Sequence, residues 1–158
     1  MSSRQTGQDL VAQLPDDGAS TVRIEGPWGR LEVITTDTDR LGVMVRAVQI
    51  DRLPGSVHRA TLRGHLQDLA EQVDYLSERL TLVEHDPART GALMRSAPPR
   101  EVSGERHYFE LRVEKNRAAR FARFRQPPGA IDREQLPFLL DRTALTRLVD
   151  DLLAAVAE

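Results

Sequence analysis

An unbroken apolar seam at Leu62, Leu66, Leu69, Val73, Leu76 and Leu80 constrains this chain more than any other feature. Its steps alternate between four and three residues, which keeps one stripe of an α-helix turned toward a single surface. Gln67, Asp68, Glu71, Gln72, Asp74, Ser77, Glu78 and Arg79 lie between the seam positions, so the stripe has a polar back. The pattern predicts an amphipathic helix from about 57 to 79. Gly64 falls in its first turns and costs about 1 kcal/mol relative to alanine, which favours fraying or a later start. Spacing this strict exceeds what packing on a sheet demands. With one long helix and a short sheet leaving apolar edges, it predicts a homodimer.

Strand signals flank the seam on both sides. Residues 8–14 suit a short helix that Pro15 ends. Val22 and Ile24 alternate with Thr21, Arg23 and Glu25, and Leu31, Val33 and Thr35 resume the alternation after the turn Gly26-Pro27-Trp28-Gly29. Together they predict a hairpin. In residues 42–51, Val43, Val45 and Ala47 fall on one side and Met44, Val48 and Ile50 on the other. Apolar residues on both sides predict a central strand covered on both faces. Beyond the seam, residues 81–84 and 91–95 read as strands and 96–105 as a mobile loop. Phe109, Leu111 and Val113 share one face of a strong strand. Residues 118–125 read as its return strand, although the three-residue spacing of Phe121 and Phe124 also suits a helix. After a short apolar stretch at 136–140, Asp141 or Thr143 can cap a last helix bearing Leu145, Leu148, Val149, Leu152 and Val156 on one face.

The expected fold class is α+β in a single domain over 1–158. It runs helix, three-stranded antiparallel meander, long helix, three to four further antiparallel strands, and a C-terminal helix packed on one sheet face. A chain of 158 residues can bury roughly 70% of the surface its unfolded form exposes. This element order resembles that of class I type III secretion chaperones, small proteins that dimerise and wrap an extended effector segment. Order and size carry the resemblance over most of the chain, with no sequence motif. What it implies is a non-catalytic, chaperone- or adaptor-like module that binds a partner polypeptide on its sheet surface or edge.

Composition narrows the chemistry. A net charge of −2 gives no global attraction to nucleic acid or anionic lipid, and cysteine is absent, which removes disulfides, thiolate nucleophiles and thiolate metal sites. No apolar run approaches the ~20 residues needed to span a bilayer. The expectation is a soluble cytoplasmic protein without a membrane role. His58 and His65 would sit roughly 10 Å apart on one helix face, too far for a shared metal ion. Glu84-His85-Asp86 reads as a polar strand end, because neighbours in a strand point to opposite faces. Asp37-x-Asp39-x-x-Gly42 opens like a calcium loop, but Val48 stands where the bidentate glutamate belongs. No phosphate loop or nucleophile motif occurs. No catalytic, cofactor-binding or metal-ligating residue is therefore expected.

The strongest functional candidate is the segment 112–125, where Arg112, Lys115, Arg117, Arg120, Arg123 and Arg125 stand against Glu114 alone. Arginine interleaved with Phe121 and Phe124 is the composition of a surface that stacks bases and neutralises phosphates. It equally suits a basic face docking an acidic protein segment, or a solvated hairpin in an arginine-rich chain whose only lysine is Lys115. Arg117, Arg120, Arg123 and Arg125 are the candidate partner-binding residues. Trp28, the only tryptophan, joins them as a turn anchor or else folds back to close the sheet. The leading expectation is a protein partner. Nucleic-acid binding through 112–125 and an enzyme or small-ligand protein with an unrecognised pocket are the alternatives.

Overall fold

The computed structural model describes residues 3–52, 59–86, 91–114 and 118–157. Arg117 and His58 lie outside them. Among the described residues three helices and ten strands follow in the order α1 (Ser3–Ala12), β1 (Ser20–Gly26), β2 (Gly29–Thr38), β3 (Val43–Arg52), α2 (Arg59–Gln72), β4 (Leu80–Asp86), β5 (Gly91–Ser96), β6 (Arg100–Val102), β7 (Glu105–Val113), β8 (Ala118–Gln126), β9 (Glu134–Leu136), β10 (Phe138–Leu140) and α3 (Arg142–Val156). The fold is α+β. All ten strands join one antiparallel sheet of order β1-β2-β3-β8-β7-β5-β4. Where β3 and β8 diverge, β9 goes on pairing with β8 and β10 with β3, and Pro137 separates the two short strands.

The helices occupy one side of this sheet. α3 packs against both α1 and α2, α2 reaches β4, and α3 lies over β3 and β10. Leu62, Leu66, Leu69, Val73, Leu76 and Leu80 are all buried in the core with Leu145, Leu148, Val149, Leu152 and Val156 of α3. The seam is therefore an inward face, but it is not one helix. α2 ends at Gln72, and Val73, Leu76 and Leu80 are carried by an irregular turn and the start of β4. The turn is pinned from α3: the Tyr75 hydroxyl donates to Asp151 Oδ2 at 2.7 Å, and Arg147 reaches both the Tyr75 ring and Asp74. Burial, with the Asp151 carboxylate beside it, pushes the Tyr75 phenol up out of its ordinary range. Ser77 takes φ 64°, turning the chain off the helix axis toward β4.

β3 corrects a second expectation. The register passes from Ile34↔Ala47 to Thr35↔Val45, so Arg46 is an extra residue in a β-bulge. A bulge reverses the in/out alternation. Val43 and Val45 before it, and Val48 and Ile50 after it, all enter the same core although their parities differ. Apolar residues of both parities here mean one covered face with a bulge, and no helix among the described residues lies over the other face of β3. The expected loop at 96–105 is likewise corrected in part. Residues 100–102 pair with β7 through a two-residue turn in which Ser103 and Gly104 both have positive φ, the geometry that suits a tight hairpin.

Two polar anchors hold the layers together. Buried Arg52 donates to the Val156 carbonyl at 3.3 Å and to the Glu114 carbonyl at 3.3 Å, joining β3 to the ends of α3 and β7. Burial holds its pKa below the ordinary arginine range. α1 approaches α3 closely at Gly7, whose N–H donates to Asp150 Oδ1 at 2.9 Å; a Cβ there would collide with the Thr146 carbonyl. Asp141 caps α3 by accepting from the Ala144 N–H at 2.7 Å. Residues 118–125 form a strand, as the return-strand reading expects. No helix among the described residues is long and apolar enough to cross a membrane.

Two substitutions in α2 separate its buried from its open face. Leu69→Ala removes a side chain that is 1% exposed and is expected to cost about 2–5 kcal/mol in a urea titration. Gly64→Ala adds a Cβ with nothing within 4 Å, and is expected to stabilise by about 0.5–1 kcal/mol. A Leu69→Ala loss below about 0.5 kcal/mol, the range of ordinary surface changes, would place the seam outside the core.

Candidate functional site

With the helices on one side, β7 and β8 turn their other residues to an open face. Along β7, His107, Phe109, Leu111 and Val113 point toward the helices, so Arg106, Tyr108, Glu110, Arg112 and Glu114 point away. On β8, Ala119, Phe121, Arg123 and Arg125 share the helix side, while Arg120, Ala122, Phe124 and Gln126 share the open one. The period-two rule thus divides the basic segment. Arg120 and Arg123 are three residues apart, so they cannot lie on one strand face.

The helix-side arginines are occupied. Arg123 Nη1 meets Glu78 Oε2 at 2.7 Å, with both side chains largely buried, and its guanidinium lies 4.4 Å from the Phe109 ring centroid. Ser96 joins by donating to Glu78 and accepting from the Phe109 N–H. Arg125 bonds Glu134 of β9 through Nε at 2.8 Å, with Glu105 at 3.7 Å. Donating to the Glu134 carboxylate raises the Arg125 pKa above the ordinary arginine value. Phe121 is fully buried, stacked on Phe109 and edge-on to Phe138. Trp28 is half-buried, folds back over Gly26 and packs against the core, so it closes the β1–β2 end of the sheet. Of the sequence candidates, only Arg120 lies on the open face among the described residues.

The centre of that face is Glu110, whose side chain is only 2% exposed. Three guanidiniums converge on it: Arg95 from the opposed position on β5 at 3.7 Å, Arg112 two residues along β7 at 3.3 Å, and Arg133 from the segment before β9 in close contact. Two open-face aromatics support the cluster. Tyr108 and Phe124 are opposed in register with ring centroids 6.0 Å apart. Arg133 lies 3.7 Å over the Phe124 ring and donates to the Tyr108 hydroxyl at 3.1 Å, and Arg95 lies 5.3 Å from the Tyr108 centroid. Burial works against the charge on Arg133, but its bonds to Tyr108 and Glu110 outweigh it and the pKa rises. One carboxylate has fewer acceptor sites than three guanidiniums have N–H groups. The Arg95 Nε is buried without a partner.

Two hollows flank this cluster. The first, about 240 Å³, is lined by Gln49, Arg112, Arg120 and Arg133 with the carboxylates of Glu110 and Glu114, and by the apolar Phe124, Ala118 and Ala122. Small side chains at Ala118 and Ala122, one on each side of Arg120 along the strand, leave the space unfilled. The second, about 250 Å³, lies between Arg95, Arg106, Tyr108, Gln126 and the Thr81 and Val83 positions of β4.

Elsewhere the readings of polar residues as turns and strand ends match the geometry. Asp39 accepts from the N–H groups of Leu41 at 2.7 Å and Gly42 at 2.9 Å, which lowers its pKa and closes the β2–β3 turn. Glu84 is exposed and His85 half-buried on a bulged strand. Among the described residues no three His, Cys, Asp or Glu gather as a metal site. Sequence reasoning missed Glu110, Tyr108, Arg95 and Arg133. Alternation through 106–114 signals the first two, while the arginines reach Glu110 only through strand pairing and a loop.

Replacing Glu110 tests whether it organises this face. Glu110→Gln leaves three guanidiniums without their shared countercharge. Removing one partner of a buried pair costs about 3–5 kcal/mol, and the partial exposure of Arg95 and Arg112 reduces this to about 1–3 kcal/mol. The loss, read by urea titration, is expected to shrink as salt screens the arginines; a loss under about 0.5 kcal/mol would remove Glu110 from this role.

No family model, curated protein or solved structure matches the chain.

Proposed function

We propose that this protein is a non-catalytic interaction module, chaperone- or adaptor-like, that binds an extended acidic segment of a partner polypeptide along the open face of its sheet. The observation that carries this reading is the convergence of Arg95, Arg112 and Arg133 on the single carboxylate of Glu110, on a face over which no helix of the described residues lies. Positive charge in excess of its buried counterion, held beside two aromatic rings, complements an acidic chain. Successive outward residues of β7 stand about 7 Å apart, the same repeat as side chains on one face of an extended peptide. A strand-like segment can therefore set alternate side chains over the second hollow, the Tyr108 ridge and the first hollow. Binding of this kind is the mode implied by the resemblance to secretion chaperones.

Nucleic-acid binding through 112–125 draws less support. Of the arginines and phenylalanines that such a surface would use, Arg123 and Arg125 are ion-paired on the helix side and Phe121 is in the core, which leaves Arg112, Arg120 and Phe124 on the open face. The homodimer proposed from the seam needs another surface, because every seam residue is already buried within the chain. β1 and β4, the outermost strands, supply the edges for it.

A labelled peptide of alternating Glu and Leu, compared with one of alternating Lys and Leu, tests the proposal. The Glu peptide is expected to bind, to weaken steeply as salt rises, and to lose at least about tenfold in affinity to the Arg112→Glu, Arg120→Glu double variant. Equal binding of both peptides, or an unchanged affinity in the double variant, would overturn it. So would a clear preference for single-stranded DNA over the Glu peptide.

A further inference from the structure

Within the first hollow, Arg112 and Arg120 occupy directly opposed positions on β7 and β8. Like charges opposed on one sheet face repel, a cost that an anion seated between them would relieve. Each guanidinium is anchored from one side: Arg112 by Glu110 at 3.3 Å, Arg120 by the Gln49 amide oxygen at 2.9 Å. Among the described residues no carboxylate lies within ion-pair distance of Arg120, although Glu114 also lines the hollow. Arg133, held over Phe124, forms the third wall. The anchoring leaves N–H groups on both guanidiniums unused and fixes their positions before a ligand arrives, which lowers the entropic cost of binding. The base of the hollow is apolar at Ala118, Ala122 and Phe124. Charge on the walls and apolar surface at the base call for a ligand with both characters.

We infer that this hollow is a subsite for a carboxylate carried on an apolar body, and that in a partner polypeptide it takes the carboxyl terminus with an apolar last side chain. The inference rests on the open face being the binding surface and names what its first hollow recognises. An internal Asp or Glu supplies the carboxylate but little apolar surface for Phe124 and Ala122. A chain end supplies both at once, and a hollow of about 240 Å³ holds roughly one residue. The carboxylate bridges Arg112 and Arg120 and relieves their repulsion, while the last side chain lies on Ala122 beside the Phe124 ring. Guanidinium geometry suits this pairing, since each fork can present two parallel N–H groups to a carboxylate.

Titration of the full chain with N-acetylphenylalanine and with its amide, followed by amide chemical shifts, tests the subsite on the unmodified protein. The acid is expected to perturb Arg112, Arg120, Ala122 and Phe124 together. The amide, which keeps the ring and loses the charge, is expected to bind at least about tenfold more weakly, as is the acid to Arg120→Gln. Equal responses to acid and amide, no response to either, or an equal response to inorganic phosphate would overturn it. The two readings fail separately. Binding of the Glu-Leu peptide irrespective of a free or amidated end removes the terminal subsite and leaves the polypeptide face. Binding of N-acetylphenylalanine without any binding of that peptide keeps the carboxylate subsite and overturns the polypeptide reading, making a free small acid the occupant.

Discussion

Burial of the α2 and α3 apolar stripes on the same side of one sheet is the constraint from which the rest of the molecule follows. Every described helix is committed to that side, so the long strands have one face in a continuous core and one face with no described helix over it. The core face is met by ordinary means: Leu, Val and Ile side chains, with Phe109, Phe121 and Phe138 packed ring against ring near the splay of β3 and β8. Such a layer buries its apolar area without needing a second one. The remaining face cannot be apolar over ten strands and stay monodisperse in water. It is built from charged and amphipathic side chains whose stems lie along the sheet while their heads reach solvent.

That solution has a local exception at Glu110. A carboxylate with almost no solvent exposure is costly unless its charge is matched, and here it is matched three times over. Pairing with three partly exposed guanidiniums converts the burial cost into an organising contact, because each arginine gives up little hydration while fixing its orientation. Tyr108 and Phe124 add ring faces on which Arg95 and Arg133 rest. Arg133 comes from the segment preceding β9, so the same cluster ties that segment to the sheet. Arg123 and Glu78 do comparable work on the opposite side, where they join the turn after α2 to β8. The two ion-paired clusters therefore act on different layers, and only the one on the open face has guanidinium surface to spare.

Alternation and turn chemistry made much of the strand layout legible in the sequence, and periodicity made the buried seam legible. The element boundaries within the seam were not. Four-and-three spacing records which residues are inward, and a chain leaving a helix for a strand can keep the same residues inward, as Val73, Leu76 and Leu80 do. The bulge at Arg46 is equally silent, since it reveals itself only when β2 and β3 are placed in register. For the candidate site, counting arginines along 112–125 grouped side chains that strand parity separates. Applying that parity selects Arg112 and Arg120 and discards Arg123 and Arg125. Arg95 and Arg133 remain invisible at that level, because what places them on Glu110 is a cross-strand pairing and a 23-residue separation along the chain.

Stability and recognition compete differently in the two parts of the open face. At Glu110 the carboxylate is fully engaged by three guanidiniums that hold it and one another in place, so the cluster serves the fold first. Around the first hollow the balance is incomplete: opposed arginines are anchored by one carboxylate contact and one neutral amide, and small alanines leave room where larger side chains would shield them. A sequence selected for stability alone would fill that space or place an acid opposite Arg120, as Glu134 stands opposite Arg125. The contrast between these two arginines, on neighbouring stretches of the same strand, separates a self-satisfied ion pair from a charge held ready. It puts the binding capacity of this face where the fold has left its own electrostatics unfinished.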